Sequence, residues 1–115
     1  MAKIKYLFLF QGLFELVVCI SAIFVLGFQL VLAANAFGFA VLAFSAFNYS
    51  DFRLHKSGAM VFTIFNFLAS SAQLVNSFRI ENGGFLFGAV AVHFILGVAF
   101  LISYLKLKKE NYKLN

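Results

Sequence analysis

The sequence has no proline and no tryptophan, a single cysteine, and only four acidic residues. Each scarcity excludes something. Without proline, nothing in the chain removes a backbone donor from the middle of a helix, which favours unbroken helices over the interrupted ones of many larger transporters. A lone Cys19 cannot close an intrachain disulfide, and no Cys/His spacing suits a metal. It is expected to pack as a small apolar residue. Charged residues make up 11% of the chain, against about 25% in soluble domains, while 63% is hydrophobic and the mean hydropathy is +0.98. A chain of 115 residues cannot bury that much apolar surface in its own core, because small domains keep a large share of their surface outside. The surplus has to face lipid or other chains.

What is present is four apolar runs, each close to the ~20 residues that cross a ~30 Å hydrocarbon core. The expected fold is an all-α membrane protein, one domain over 1–115, with transmembrane helices at about 6–26, 30–49, 57–77 and 85–105 in an antiparallel up-down bundle. Gly27, Phe28 and Gln29 form the first turn, with Gly27 as a helix C-cap. A polar loop covers Ser50 to Lys56, and Arg79, Glu81, Asn82, Gly83 and Gly84 make the last turn. A basic, polar tail runs from Lys106 to Asn115. Lys3 and Lys5 ahead of an apolar run are the pattern of a leader, but Gln11 and Glu15 interrupt that run, so it reads as a retained helix.

Basic residues set the expected orientation. Lys3, Lys5, Arg53, Lys56, Lys106, Lys108, Lys109 and Lys113 fall on one side and Arg79 on the other, which puts both termini in the cytoplasm. Tyr6, Tyr49 and Tyr104 belong to the same side, at the level where tyrosine gathers. The net charge of +5 then follows from topology and anionic head groups rather than from nucleic-acid binding.

The polar residues inside the spans follow helical spacing. Ala59, Thr63, Asn66, Ser70, Gln73 and Ser77 lie along one face of helix 3, with Phe62, Ile64, Phe65, Phe67, Leu68 and Val75 on the others. Helix 1 has Gln11, Glu15, Cys19 and Ala22; helix 2 has Asn35, Gly38, Ser45 and Asn48; helix 4 has Ala89, His93 and Gly97. Small-and-polar seams of this kind suit helices that meet lipid outside and other helices inside. At 1.5 Å per residue, Glu15, Asn66 and His93 each lie roughly 13 Å into their spans, close to the midplane.

An ionisable residue at that depth marks a functional site by default. Glu15 is therefore the expected proton- or solute-binding centre, with His93, Asn66, Asn35, Gln73 and Gln11 as polar lining. The competing structural reading has these groups only gluing helices together. His93 as a haem ligand lacks a partner, because the second histidine, His55, falls in the 50–56 loop. There, four residues from Asp51, it reads as half of a solvated surface pair. No Ser/His/Asp set, Walker loop or dinucleotide fingerprint is present. No metal and no cofactor are expected.

Glu15 in the first span resembles the single membrane-embedded glutamate of small multidrug resistance transporters. That resemblance covers one residue and its depth, and the aromatic and glycine pattern of that family's third helix is missing. Asn35-x-x-Gly38, Phe62 with Phe65, and Val92-His93 resemble the asparagine motif, phenylalanine pair and histidine of the fluoride channel family, without its glycine-rich break. Both families include dual-topology dimers, which the one-sided distribution of basic residues here argues against. In size and span number the chain also resembles small four-span bacterial proteins of the DoxX-like kind, and a bacterial inner (plasma) membrane is the expected location.

Three functions follow as expectations: a small transporter or channel built on Glu15, a non-catalytic accessory subunit of a larger membrane complex, or a membrane enzyme or binder acting on a lipid-soluble substrate through Glu15 and His93. The lipid bilayer, further copies of the chain or other membrane subunits are the expected partners, and nucleic acid is not.

Overall fold

The computed structural model describes residues 2–24, 30–49, 51–79, 81 and 83–114. It is all-helical: α1 is Ala2–Phe24, α2 Leu30–Asn48, α3 Phe52–Arg79 and α4 Leu86–Leu114, with a 3-10 turn at Gly83–Phe85 leading into α4. All four α-helices carry segments, of 22, 19, 28 and 25 residues, that are long and apolar enough to cross a membrane. This is a membrane protein. The turn expected at Gly27–Gln29 lies outside the described residues.

The chain forms two compact units, Met1–His55 and Lys56–Asn115. In the first, α1 packs antiparallel on α2. Gly12 sits against the Phe44 ring so closely that a β-carbon there would come within 2.8 Å of it. The buried stripe of α2 consists of Ala33, Ala36, Ala40, Ala43 and Ala46. This differs from the seam expected for this helix, since Asn35, Gly38 and Asn48 are exposed and Ser45 is half-buried. The physical reason is that lipid is as apolar as a helix interior, so close contact goes to the residues that let backbones approach. Five alanines at helical spacing do that better than an amide.

The second unit pairs α3 with α4 antiparallel. Ring contacts mark the register: Phe78 with Phe87, Phe67 with Phe94, and Phe62 with Phe100, the last stacked at 5.3 Å. Ser70 Oγ adds a hydrogen bond to the Val90 carbonyl at 3.0 Å. Hydroxyls elsewhere turn back on their own helix, Thr63 to Ala59 and Ser103 to Ala99. Such back-bonding satisfies them inside apolar spans.

Three boundaries depart from expectation, the first being the start of α1 at Ala2 rather than about Tyr6. Segment 52–56 is not loop but the start of α3. Asp51 Oδ1 accepts from the Leu54 amide at 2.9 Å and the Asp51 carbonyl from the His55 amide at 3.0 Å, an N-cap that starts the helix early. Likewise α4 continues to Leu114, because the Lys, Leu and Glu residues beyond Leu105 are good helix formers and nothing breaks them.

The early start overturns the reading of His55 as half of a solvated pair. His55 is fully buried. Its Nε2 lies 2.7 Å from the Tyr49 carbonyl and 3.0 Å from that of Ala46, and its ring packs on Phe8 at 5.6 Å. Both neighbours of Nε2 are carbonyls, so Nε2 carries the hydrogen and caps the end of α2, where carbonyls lack helical partners. His55→Ala should lower stability by about 2–4 kcal/mol, through a cavity beside Phe8 and the lost donor. Unfolding of purified protein by denaturant measures this, and His55→Gln, which keeps a donor, should lose less.

Candidate functional site

Among the buried polar residues, two side-chain pairs are hydrogen-bonded, Gln11 with Glu15 in the first unit and Asn66 with His93 in the second. In the first unit, α1 turns Gln11, Glu15 and Ala22 inward, with Cys19 half-buried on the same face. Gln11 is 0% and Glu15 2% exposed. The Gln11 side-chain amide donates to Glu15 Oε1 at 2.8 Å, the contact that residues four apart on one helix face make.

In the second unit the inward face of α3 is the one read from its spacing. Ala59, Asn66, Ser70 and Ser77 are buried, and Thr63 and Gln73 are half-buried. On α4, His93 and Gly97 are buried and Ala89 is half-buried. Asn66 and His93, 27 residues apart, meet: His93 Nδ1 lies 2.8 Å from Asn66 Oδ1. Asn66 Nδ2 in turn donates to the Phe62 carbonyl one turn back, also at 2.8 Å. The Phe65 ring stands edge-to-face against His93, with centroids 5.7 Å apart. Aromatic contact and hydrogen bond together fix the plane of the imidazole.

The sequence-derived residues thus divide. Gln11 joins Glu15, Asn66 joins His93, and Gln73 shares the face of Asn66 without full burial. Asn35 stands exposed on α2. Sequence reasoning missed His55, whose burial depends on the Asp51 cap and on Phe8. It also missed the alanine stripe, although its spacing was there to be read. A cleft of about 360 Å³ in the first unit is lined by Lys5, Tyr6, Phe47 and Asn48, none of them among the predicted site residues. Among the described residues no three His, Cys, Asp or Glu side chains gather as a metal site would require.

The two pairs do different work. The Asn66–His93 bond ties α3 to α4, whereas the Gln11–Glu15 bond stays within α1. A carboxyl can take up and release a proton, and an imidazole can as well. No family model, no curated protein and no solved structure matches the chain, so function rests on the chemistry of these side chains.

Proposed function

We propose that the protein is a small transporter or channel that moves a small solute across a membrane, with Glu15 as its protonatable centre. The observation that carries this reading is the buried Glu15 carboxyl bonded to Gln11 of its own helix. An acidic residue at the centre of a span costs about 2.5–3.5 kcal/mol on insertion scales. Gln11 orients the carboxyl through Oε1, and Oε2 carries the proton when the acid is neutral. Within the second unit, Asn66 and His93 supply a separate polar pair, with Gln73 on the same face of α3 as Asn66.

The distribution of basic residues supports four spans crossing up and down in turn, with both termini in the cytoplasm of a bacterium and the chain in its plasma membrane. Asn35, exposed on α2, gives copies of the chain or other membrane subunits a group to bond when they assemble.

Transport requires water at Glu15, and an accessory subunit does not. In a Cys19→Ala background, Glu15→Cys in liposomes should react with a membrane-impermeant thiol reagent. Ile20→Cys should not, because Ile20 is exposed on an apolar helix surface that faces lipid. Equal resistance at both positions would mean a dry interior and would favour the accessory-subunit reading.

A further inference from the structure

The cleft of about 360 Å³ in the first unit is lined by Lys5 and Tyr6 of α1 and by Phe47 and Asn48 of α2. Its volume is that of a small-ligand pocket, about 300–1,000 Å³. It lies where α1 begins and α2 ends, since the apolar segments of the two helices are Lys3–Phe24 and Leu30–Asn48. Lipid head groups lie at that level, just outside the hydrocarbon. The Lys5 ammonium, the Tyr6 hydroxyl and the Asn48 amide all donate hydrogen bonds. None of these three side chains bonds or ion-pairs with any described residue, and no carboxylate stands among the lining residues. A cation with two further donors and no acid beside it is the complement of a phosphate.

The apolar surroundings decide where that phosphate comes from. Phe47 and the Tyr6 ring form the walls of the cleft. From Tyr6, the residues Phe10, Leu13 and Val17 continue along α1 at steps of four, three and four, one face of a helix. All four are more than half exposed. The stripe is roughly 16 Å long at 1.5 Å per residue. A free phosphate gains nothing from it, whereas an acyl chain buries apolar surface along it. We propose that the cleft binds the phosphate of an anionic glycerophospholipid, with Lys5, Tyr6 and Asn48 as donors and an acyl chain lying along Tyr6, Phe10, Leu13 and Val17. A head group with its own ammonium fits less well, because Lys5 repels it and no lining carboxylate receives it. This site does not depend on Glu15 or on the transport reading.

Mass spectrometry of the intact full-length protein, released from neutral detergent with its bound lipid, tests this. The probes are phosphatidylglycerol, phosphatidylcholine with the same chains, and inorganic phosphate. Wild type should retain phosphatidylglycerol in preference to phosphatidylcholine, and millimolar inorganic phosphate should not displace it. Lys5→Gln should weaken retention about fivefold, the scale of one lysine at a lipid surface. Lys5→Arg, which keeps the charge, should retain the lipid. Lys3→Gln removes the same charge from an exposed side chain that does not line the cleft, and should behave as wild type. Equal losses in Lys3→Gln and Lys5→Gln would reduce the site to diffuse surface charge and overturn the proposal, as would equal retention of the two lipids. Displacement by inorganic phosphate would assign the cleft to a soluble phosphate and overturn the lipid assignment.

Discussion

Glu15→Gln should reduce proton-coupled solute movement in proteoliposomes by roughly 100-fold or more, the scale set by removing a group that transfers a proton, and should leave the fold intact. The two side chains have nearly the same shape. The glutamine oxygen still accepts from the Gln11 amide, which donates at 2.8 Å in wild type, so packing and local bonding survive. What disappears is the capacity to bind and release a proton. Glu15→Asp separates geometry from titration: it keeps the acid but shortens the side chain by one methylene and pulls the carboxyl away from Gln11. Intermediate transport is expected there. If Glu15→Gln instead unfolds the protein while Glu15→Asp does not, the carboxyl is structural.

The second large effect lies at the turn into α4. At Gly83 a β-carbon would come within 2.7 Å of the Ser77 carbonyl oxygen and 3.1 Å of its Cα. These are backbone atoms of α3, so no side chain can swing aside. Gly83→Val must lift the start of α4 from α3, at the upper end of the ~1–3 kcal/mol typical of overpacking or beyond. The adjacent Gly84 has open space where its β-carbon would go. Gly84→Ala should therefore change stability by less than about 0.5 kcal/mol. Denaturant unfolding of both variants against wild type reads the difference, and equal losses would mean that chain entropy rather than contact governs the turn.

Much of the fold was legible because membrane spans announce themselves. Long apolar runs without proline fixed the number of helices, and the four-residue spacing of Gln11–Glu15 and Asn66–Ser70 identified faces that the structure buries. Helix 2 misled because polarity is a weak guide to burial where the solvent is lipid. Asn35 drew attention on chemistry, but the inward face went to alanines, which allow close approach. His55 was hidden for a different reason. Its segment is polar enough to pass for a loop, and only the Asp51 cap and the Phe8 ring show it to be buried. Depth put Asn66 and His93 at one level together with Glu15, but did not single the two out as partners. The bond from Asn66 Nδ2 to the Phe62 carbonyl involves a backbone atom that no side-chain pattern reveals.

Proton-coupled transport by this chain requires proton exchange at Glu15. Purified protein in detergent, titrated from acid to alkaline pH alongside Glu15→Gln with candidate solutes added in turn, measures it. The prediction is one proton-binding step present in wild type, absent from the variant, and displaced by a single class of solute. Superimposable titration curves, insensitive to every solute and with unchanged stability in the variant, would contradict a proton-coupled role for Glu15.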